Sequence, residues 1–185
     1  NYPFRPEDRG FDEVLRHGGG GVGQTPDAWD NAYFDCSYFH NKKITYVPGY
    51  CTDVYFDAAK NFITVNKKTG KPFFAYISTN APHGPMHAPQ KYADMYPDLK
   101  LRDQHFYVMI TNIDDNVGAM RKFLSDNDLA DNTIFIFTTD NGCSPQAKFA
   151  ELEAAGHDHN FIYRGHKADI YEGGHRVPFV ARGPK

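Results

Sequence analysis

The stretch that decides the fold is Asn132-Thr-Ile-Phe-Ile-Phe-Thr-Thr139, a run of apolar and β-prone residues that leads directly into Asp140-Asn-Gly142. A continuous run of this kind is typical of a strand that is buried on both faces of a parallel sheet. Pro72-Phe-Phe-Ala-Tyr-Ile-Ser-Thr79 has the same character, and Arg176-Val-Pro-Phe-Val-Ala181 is a shorter run of the same kind. We therefore expect three buried strands.

Segments in which apolar residues recur with helical spacing lie before and between these runs. From Asp103 to Asp128 the apolar residues advance by three and four positions, which predicts a long amphipathic helix. A second helical stripe begins at Asp53 and ends near Lys68, where Gly70 follows as a stop signal. Strand, long helix and strand make a βαβ unit, so the predicted fold class is α/β, with a mainly parallel sheet flanked by helices.

Residues 1–50 differ from the rest of the chain. They are rich in Gly, Pro, Asn, Asp and aromatic residues and show no sustained period, which predicts an irregular, insertion-like segment held together by its rings. Residues 51–185 then contain the predicted αβαβ core. The chain opens without an initiator Met and stops directly after a strand-like run, so we expect an internal part of a larger domain.

Composition excludes several partners. The 20 basic and 23 acidic residues give a formal net charge of -3 without long runs of one sign, so there is no electrostatic footprint for nucleic acid or a membrane surface. No apolar run approaches the ~18 residues of a membrane span, and the first residues have no signal-peptide character. The expected partner is a small or glycan-like molecule.

The three cysteines fit neither a zinc finger nor a dense disulfide framework. Whether Cys36 and Cys51 form a disulfide bridge is not decided by the sequence.

Polar residues follow the predicted strands, where ligands of open parallel sheets bind. Asp140 and Asn141 supply a carboxylate and an amide carbonyl side by side. These hard oxygen ligands suit Ca²⁺ or Mg²⁺ better than Zn²⁺, which prefers His and Cys. The alternative for this Asp-Asn-Gly sequence is a plain turn.

Two cationic candidates lie near the same predicted edge. His83 follows the run 72–79 between two prolines, which fix the backbone and could hold its imidazole toward a substrate, although a rigid surface turn is the alternative. His83 and His87 are not a helical zinc pair, because Pro85 lies between them and no Glu is adjacent. Lys167 could neutralise an anionic oxygen, or it could be a solvated loop charge.

Two further motifs carry less weight. Gly18-Gly-Gly-Gly-Val-Gly23 satisfies G-x-G-x-x-G, but no buried strand precedes it, so a flexible loop is expected rather than a dinucleotide site. Gly156-His-Asp-His159 has metal-friendly side chains at a spacing more typical of a surface turn. His157 stays a candidate for contacting the distal part of a substrate.

Three motifs occur in a fixed order: Ala81-Pro-His-Gly-Pro85, Thr138-Thr-Asp-Asn-Gly142 and Arg164-Gly-His-Lys-Ala-Asp-Ile-Tyr-Glu-Gly-Gly-His-Arg-Val-Pro178. As an ordered set they closely resemble the sulfatase family of the alkaline phosphatase-like superfamily, in particular its bacterial arylsulfatase-type branch. Gln24-Thr-Pro-Asp27 and Gly49-Tyr-Cys-Thr-Asp53 extend the resemblance over essentially the whole chain.

The resemblance implies hydrolysis of a small-molecule or glycan sulfate ester, in the periplasm or outside the cell. It implies a Ca²⁺ ion held by Asp140 and Asn141 together with carboxylates of an early loop that would lie before Asn1. It also implies that His83 and Lys167 hold the sulfate and assist its departure.

The nucleophile of the resembled family is a formylglycine hydrate, made from Cys or Ser in a C/S-x-P-x-R signature. Cys143-Ser-Pro-Gln-Ala147 is the nearest match, but Ala147 replaces the arginine and the segment follows the metal-binding strand instead of preceding the histidine motif. We therefore expect the nucleophile to lie outside this chain and the isolated chain to be inactive.

Two other functions stay open. A phosphoester hydrolase of the same superfamily would typically use two zinc ions and Asp–His pairs, and Asn141 in place of a histidine argues against it. A non-catalytic glycan-binding module would keep the fold and lack the nucleophile signature.

Overall fold

The computed structural model describes residues 3–23, 31–97 and 101–184, with side chains in the last range from residue 105 onward. The chain divides into two compact units. The first comprises Asn1–Pro89 and Met109–Asn116, and the second comprises Gln90–Val108 and Val117–Lys185. Within the described ranges, no helix is long and apolar enough to cross a membrane.

The first unit is a small antiparallel sheet followed by a helix. The elements in chain order are a 3₁₀ turn at Pro6–Asp8, β1 (Leu15–Arg16), β2 (Phe34–His40), β3 (Lys43–Tyr50) and α1 (Cys51–Thr69). The sheet has the order β1-β2-β3, with antiparallel pairing throughout. The predicted helix from Asp53 to Lys68 is confirmed as α1, and Gly70 ends it in the left-handed conformation that glycine adopts without strain.

The hairpin β2–β3 lies in the segment for which the sequence predicts irregular structure, and that prediction is wrong here. His40 pairs with Lys43, so Asn41 and Lys42 alone form the turn, with φ angles of 47° and 72°. A two-residue turn with positive φ at both positions matches the right-handed twist of its strands. Apolar side chains such as Ile44 on the exposed face of β3 hide the alternation that would have revealed the strands.

The core of the first unit is built around three buried tyrosine rings. Tyr33, Tyr38 and Tyr50 are each at most 3% exposed, and aromatic side chains of this size dominate the burial energy of a small core. Smaller buried residues complete the cluster: Val22, Cys36, Cys51, Val54, Ala81 and Met109. Both buried cysteines are free thiols, so the Cys36–Cys51 bridge that the sequence left open is not formed.

A buried polar contact fixes the start of α1. Oδ1 of Asp53 accepts hydrogen bonds from Nδ2 of Asn112 and Nδ2 of Asn116, both at 2.7 Å. The two asparagines are one turn apart and are buried. Asp53 itself is partly buried, and removing a carboxylate from water is costly unless it is hydrogen-bonded, so this pair of donors stabilises Asp53 in the first turn of α1.

The second unit contains the remaining elements. In chain order they are a 3₁₀ turn at Gln90–Met95, α2 (Leu101–Asp126), a 3₁₀ turn at Ala130–Asn132, β4 (Phe135–Thr138), a 3₁₀ turn at Pro145–Ala147, α3 (Phe149–Ala154), α4 (Glu172–His175) and β5 (Phe179–Arg182). The long amphipathic helix predicted from Asp103 to Asp128 is confirmed as α2, whose residues 109–116 belong to the first unit.

The mainly parallel sheet of the sequence prediction is not confirmed. β4 and β5 pair antiparallel, from Phe135 opposite Arg182 to Thr138 opposite Phe179, and the strands described in the first unit are antiparallel as well. Residues 72–79 form no strand with any described residue, and Phe74 is 72% exposed. The physical reason is that an apolar run favours extended backbone, whereas a strand also needs a neighbour to complete its hydrogen-bond ladder.

Candidate functional site

The loop after β4 carries two oxygen-bearing side chains next to each other. Asp140 is exposed, and Asn141 is half-buried. Nδ2 of Asn141 donates to the Gly142 carbonyl at 3.0 Å, while Oγ1 of Thr139 donates to the Asn141 carbonyl at 3.2 Å. Because its nitrogen is engaged, the Asn141 amide has a fixed orientation and its Oδ1 is the end that can meet a ligand.

This loop is joined to the segment that contains Lys167 by two backbone hydrogen bonds. The N–H of Lys167 donates to the Cys143 carbonyl, and the N–H of Gly142 donates to the Gly174 carbonyl, both at 2.9 Å. All four residues belong to the second unit. The structure therefore places Lys167 on a loop bonded directly to the loop of Asp140 and Asn141.

Glycines make the close approach of these loops possible. A Cβ on Gly142 would lie 1.8 Å from the Gly173 carbonyl oxygen, and a Cβ on Gly173 would lie 2.2 Å from the Gly165 carbonyl oxygen. A Cβ on Gly174 would lie 2.2 Å from the carbonyl oxygen of Asp169. Backbone contact at these distances requires a residue without a side chain. Sequence reasoning missed this role, because the spacing of glycines does not reveal which backbone each one faces.

Lys167 sits in a turn that Asp169 closes. Oδ2 of Asp169 accepts from the His166 N–H at 3.0 Å, and the Asp169 N–H donates to the His166 carbonyl at 2.9 Å. Lys167 is half-buried, and within the described ranges its ammonium forms no hydrogen bond or ion pair. The turn therefore presents a cation that can pair with an anionic ligand.

His83 lies in the first unit, in a loop fixed by three hydrogen bonds. Its N–H donates to the Asn80 carbonyl at 2.9 Å, and its carbonyl accepts from the Tyr33 hydroxyl at 2.5 Å. Its Nδ1 lies 2.7 Å from the Gly84 carbonyl oxygen. A carbonyl only accepts, so Nδ1 carries a proton and Nε2 is the nitrogen that can exchange one with a substrate.

The predicted site residues thus fall into both units. Asp140, Asn141 and Lys167 occur on two bonded loops of the second unit, whereas His83 belongs to the first. The convergence of all four on one cleft stays a prediction.

His157 packs among rings of the second unit. Its Nδ1 lies 3.0 Å from the Tyr107 hydroxyl, and the two ring centroids are 5.5 Å apart. The neighbouring His159 instead stacks on Phe149 at 3.6 Å. In the part of the chain that the structure describes, no three His, Cys, Asp or Glu side chains are arranged to hold a metal ion.

The thiol of Cys143 is a weak candidate for a nucleophile. It is half-buried, and desolvation raises its pKa above the ordinary value for a thiol. A raised pKa keeps the thiol protonated near neutral pH, and the thiolate is the reactive form.

Asp140 and Asn141 are the type of ligand that a calcium ion prefers, but they are too few to complete its coordination shell. Asp140 and Asn141 offer the hard oxygen ligands that Ca²⁺ prefers, but Ca²⁺ takes 6 to 8 oxygens. Two residues cannot supply that shell, and the described ranges contain no larger cluster of acidic and imidazole ligands. These residues can therefore form only part of such a site.

Comparison with known proteins decides the family. The family model for sulfatases matches residues 2–185, essentially the whole chain. The chain belongs to the sulfatase family. This sulfatase chain is 36% identical over 138 residues, 71% of its length, to an N-acetylgalactosamine-6-O-sulfatase of Bacteroides thetaiotaomicron. It is 28% identical over 178 residues, 95% of its length, to YdeN of Escherichia coli, which is described as an uncharacterized sulfatase.

A solved structure shows the same fold. The crystal structure of Ps i-CgsB in complex with k-i-k-neocarrahexaose covers 100% of the sulfatase chain with a TM-score of 0.82 and 30% sequence identity. The sulfatase chain spans 25% of the Bacteroides relative, 29% of the Escherichia coli relative and 42% of the Ps i-CgsB chain.

Proposed function

We propose that the full-length protein containing this chain hydrolyses sulfate esters of a glycan, and that this chain is the central and C-terminal part of its catalytic domain. The observation that carries the proposal is the family match over residues 2–185. The names of two similar proteins point to a glycan, because one is an N-acetylgalactosamine-6-O-sulfatase and the other was solved with a neocarrahexaose.

Lys167 is proposed to bind the sulfate group. A sulfate monoester carries negative charge on its terminal oxygens, and charge grows on the leaving oxygen as the ester bond breaks. A cation already held in place stabilises this charge without reorganising during the reaction. The turn closed by Asp169 and the bond from the Lys167 N–H to the Cys143 carbonyl fix the backbone from which this cation extends.

Asp140 and Asn141 are proposed to supply two of the oxygen ligands of a Ca²⁺ ion, with the remaining ligands outside this chain. Bound Ca²⁺ would act as a Lewis acid toward the sulfate oxygens. The fixed amide of Asn141 supports this role, because its nitrogen is already bonded to the Gly142 carbonyl and its oxygen is the available end.

His83 is proposed to protonate the leaving oxygen through Nε2. Its Nδ1–H is held by the Gly84 carbonyl, so only Nε2 can deliver a proton, and it does so from the imidazolium form.

His157 is proposed to contact the distal part of the substrate. The nucleophile is proposed to be a formylglycine outside this chain, since Cys143 lacks both the signature arginine and a lowered pKa.

The proposed substrate also bears on location. A sulfated polysaccharide is too large and too polar to cross a bilayer, so an enzyme that acts on it works in the periplasm or outside the cell. The location is therefore part of the proposal.

The proposal is tested with the purified full-length protein and matched substrates. We expect release of sulfate from 4-nitrophenyl sulfate or from oligosaccharides that carry 6-sulfated N-acetylgalactosamine, and no comparable release of phosphate from 4-nitrophenyl phosphate. Faster phosphate release would instead identify a phosphoester hydrolase. Binding of sulfated oligosaccharides without any turnover would identify a glycan-binding module.

A further inference from the structure

His17 is a buried histidine that the proposed chemistry does not use. It is 4% exposed and immediately precedes the glycine tract Gly18–Gly23. Its imidazole stacks on the Tyr38 ring, with centroids 4.8 Å apart, and meets the edge of the Tyr55 ring at 5.7 Å. These residues all lie in the first unit, as does His83.

The hydrogen bonds around His17 fix where its proton lies. The backbone N–H of Val22 can only donate, and it lies 3.3 Å from Oδ1 of Asn80, which therefore accepts. The other end of the same amide, Nδ2 of Asn80, can only donate, and it lies 2.9 Å from Nδ1 of His17. Nδ1 of His17 is consequently an acceptor, and the Tyr55 hydroxyl lies 3.0 Å from the same nitrogen. The proton of the neutral imidazole must be on Nε2.

The same asparagine holds the loop of His83. The carbonyl of Asn80 accepts the backbone N–H of His83 at 2.9 Å. His17 and Val22 fix the side chain of Asn80 from its two ends, so the orientation of its backbone carbonyl depends on both. Two hydrogen bonds, linked by the covalent structure of Asn80, therefore connect the buried imidazole of His17 to the backbone of His83.

We infer that His17 is a positioning residue for His83: as a neutral acceptor it fixes Asn80, whose carbonyl holds the backbone from which the His83 imidazole extends. This inference rests on the proposed function for the role of His83. The tautomer and charge of His17 are independent of that function.

The surroundings keep His17 neutral. Burial lowers its pKa to about 4, against a smaller opposing effect of the Ala32 backbone. The titratable groups that face it are the phenols of Tyr38 and Tyr55, whose pKa values burial raises. The Cys51 thiol lies against the same amide, and burial raises its pKa to about 12. All of these groups are uncharged between pH 5 and 8, so His17 remains a hydrogen-bond acceptor throughout this range.

The charge state is tested directly by NMR on the full-length protein with ¹⁵N-labelled histidine. The His17→Phe variant identifies the His17 signals by their loss. We expect the neutral Nε2–H tautomer, with shifts that do not move between pH 8 and 5. A neutral Nδ1–H tautomer, or a titration midpoint near 6.5, would overturn the inference.

The positioning role is tested by kinetics on an aryl sulfate. Phe at position 17 keeps a ring but removes the acceptor, and we expect kcat to fall by roughly 10- to 100-fold with KM within about threefold, because small displacements of a catalytic group are costly. Gln offers an amide oxygen to Asn80, so His17→Gln should keep kcat within about threefold of the native value. Equal losses of kcat in His17→Phe and His17→Gln would show that a hydrogen-bond acceptor at position 17 does not position His83.

A double variant separates positioning from general damage. If His17 acts through His83, then adding His17→Phe to His83→Ala should lower kcat by less than about twofold further. A full additional loss would show that His17 acts elsewhere. A native protein that turns over no sulfate ester would defeat the proposed function, and the NMR measurement would still decide the state of His17.

Discussion

The backbone N–H of Lys167 lies 2.9 Å from the carbonyl oxygen of Cys143, and this bond ties the position of the lysine to the loop after β4. That loop also carries Asp140 and Asn141. A displacement of the loop therefore moves the proposed sulfate-binding cation and the proposed metal ligands together. The effect of a variant in this region should therefore be measured both on turnover and on metal binding.

Lys167→Ala should damage turnover far more than Lys148→Ala. One well-placed cation acting on developing charge is typically worth roughly 10²- to 10³-fold in rate, and we expect a loss of that size in kcat/KM. Lys148 is paired with Glu151 at 3.5 Å in a partly exposed bridge, which is worth little. Steady-state assays of both variants on an aryl sulfate, with circular dichroism as the check on folding, decide the matter. Equal losses would exclude a special role for Lys167.

Gly142→Ala should disrupt the contact between the two loops. The added Cβ would lie 1.8 Å from the Gly173 carbonyl oxygen, and a backbone atom cannot move aside as a flexible side chain can. We expect destabilisation of about 3 kcal/mol or a displaced loop with activity lowered about 100-fold. The matched control is Gly118→Ala, for which the structure shows open space on α2. That variant should be slightly more stable, by up to about 1 kcal/mol, in thermal unfolding.

Asp140→Ala should weaken binding of Ca²⁺ to the full-length protein. Loss of residues that merely orient metal ligands typically costs 10- to 100-fold in affinity, so loss of Asp140, which is proposed to be a direct ligand, should cost at least about 100-fold. Calorimetric titration of the metal-free protein measures this. Asp126→Ala is the control, since that carboxylate pairs with Lys122 in an exposed bridge. Undiminished affinity in the Asp140 variant would mean that the ion is held entirely by other residues.

The pH dependence of stability should reflect His17. Its pKa is lowered from 6.5 to about 4 in the folded protein, so the unfolded chain takes up the proton first as the pH falls. The stabilising contribution is present above pH 6.5 and is lost progressively toward pH 4. At about 1.4 kcal/mol per pH unit the shift corresponds to about 3 kcal/mol. Thermal unfolding between pH 7 and 4 should show a smaller loss for His17→Gln than for the native protein, and parallel curves would contradict the assignment.

The three cysteines should differ in their reactivity. Burial raises the pKa of Cys51 to about 12, and both Cys36 and Cys51 are inaccessible to solvent. Brief treatment of the folded protein with iodoacetamide, followed by peptide mass mapping, should modify the half-buried Cys143 first and leave the other two intact. A mass that shows Cys36 and Cys51 joined would contradict the free thiols of the structure.

Local patterns predicted the two long helices α1 and α2 well, because the signals that fix a helix lie within its own sequence. The stripe from Asp53 and the glycine stop at Gly70 gave α1 nearly to the residue. Strands were harder. Residues 72–79 look like a buried strand, but whether they form one depends on a neighbouring chain segment that periodicity does not identify. The turn at Asn41 and Lys42 lacks the usual Asn-Gly signature, so the hairpin was missed.

The residues of the candidate site could be proposed from the sequence, but the contacts that hold them in the structure could not. Hard oxygen ligands at Asp140 and Asn141 and a cation at Lys167 could be named from chemistry and order along the chain. The contact of Gly142 with Gly173, the turn closed by Asp169 and the hydrogen bond between Asn80 and His17 arise from the packing of the folded chain. No spacing rule in a single sequence encodes such contacts, because each depends on which segments the complete fold brings together.

The bond between Lys167 and Cys143 also makes residues 144–166 an excursion that leaves the site and returns to the same point. A segment pinned at both ends in this way can change in length or composition at little thermodynamic cost, since loop closure depends only weakly on length. His157, which is proposed to contact the substrate, lies in this excursion, so under the proposed function glycan recognition can evolve separately from cleavage of the ester. Relatives that act on different sugars would be expected to vary within this excursion while keeping both of its anchor points.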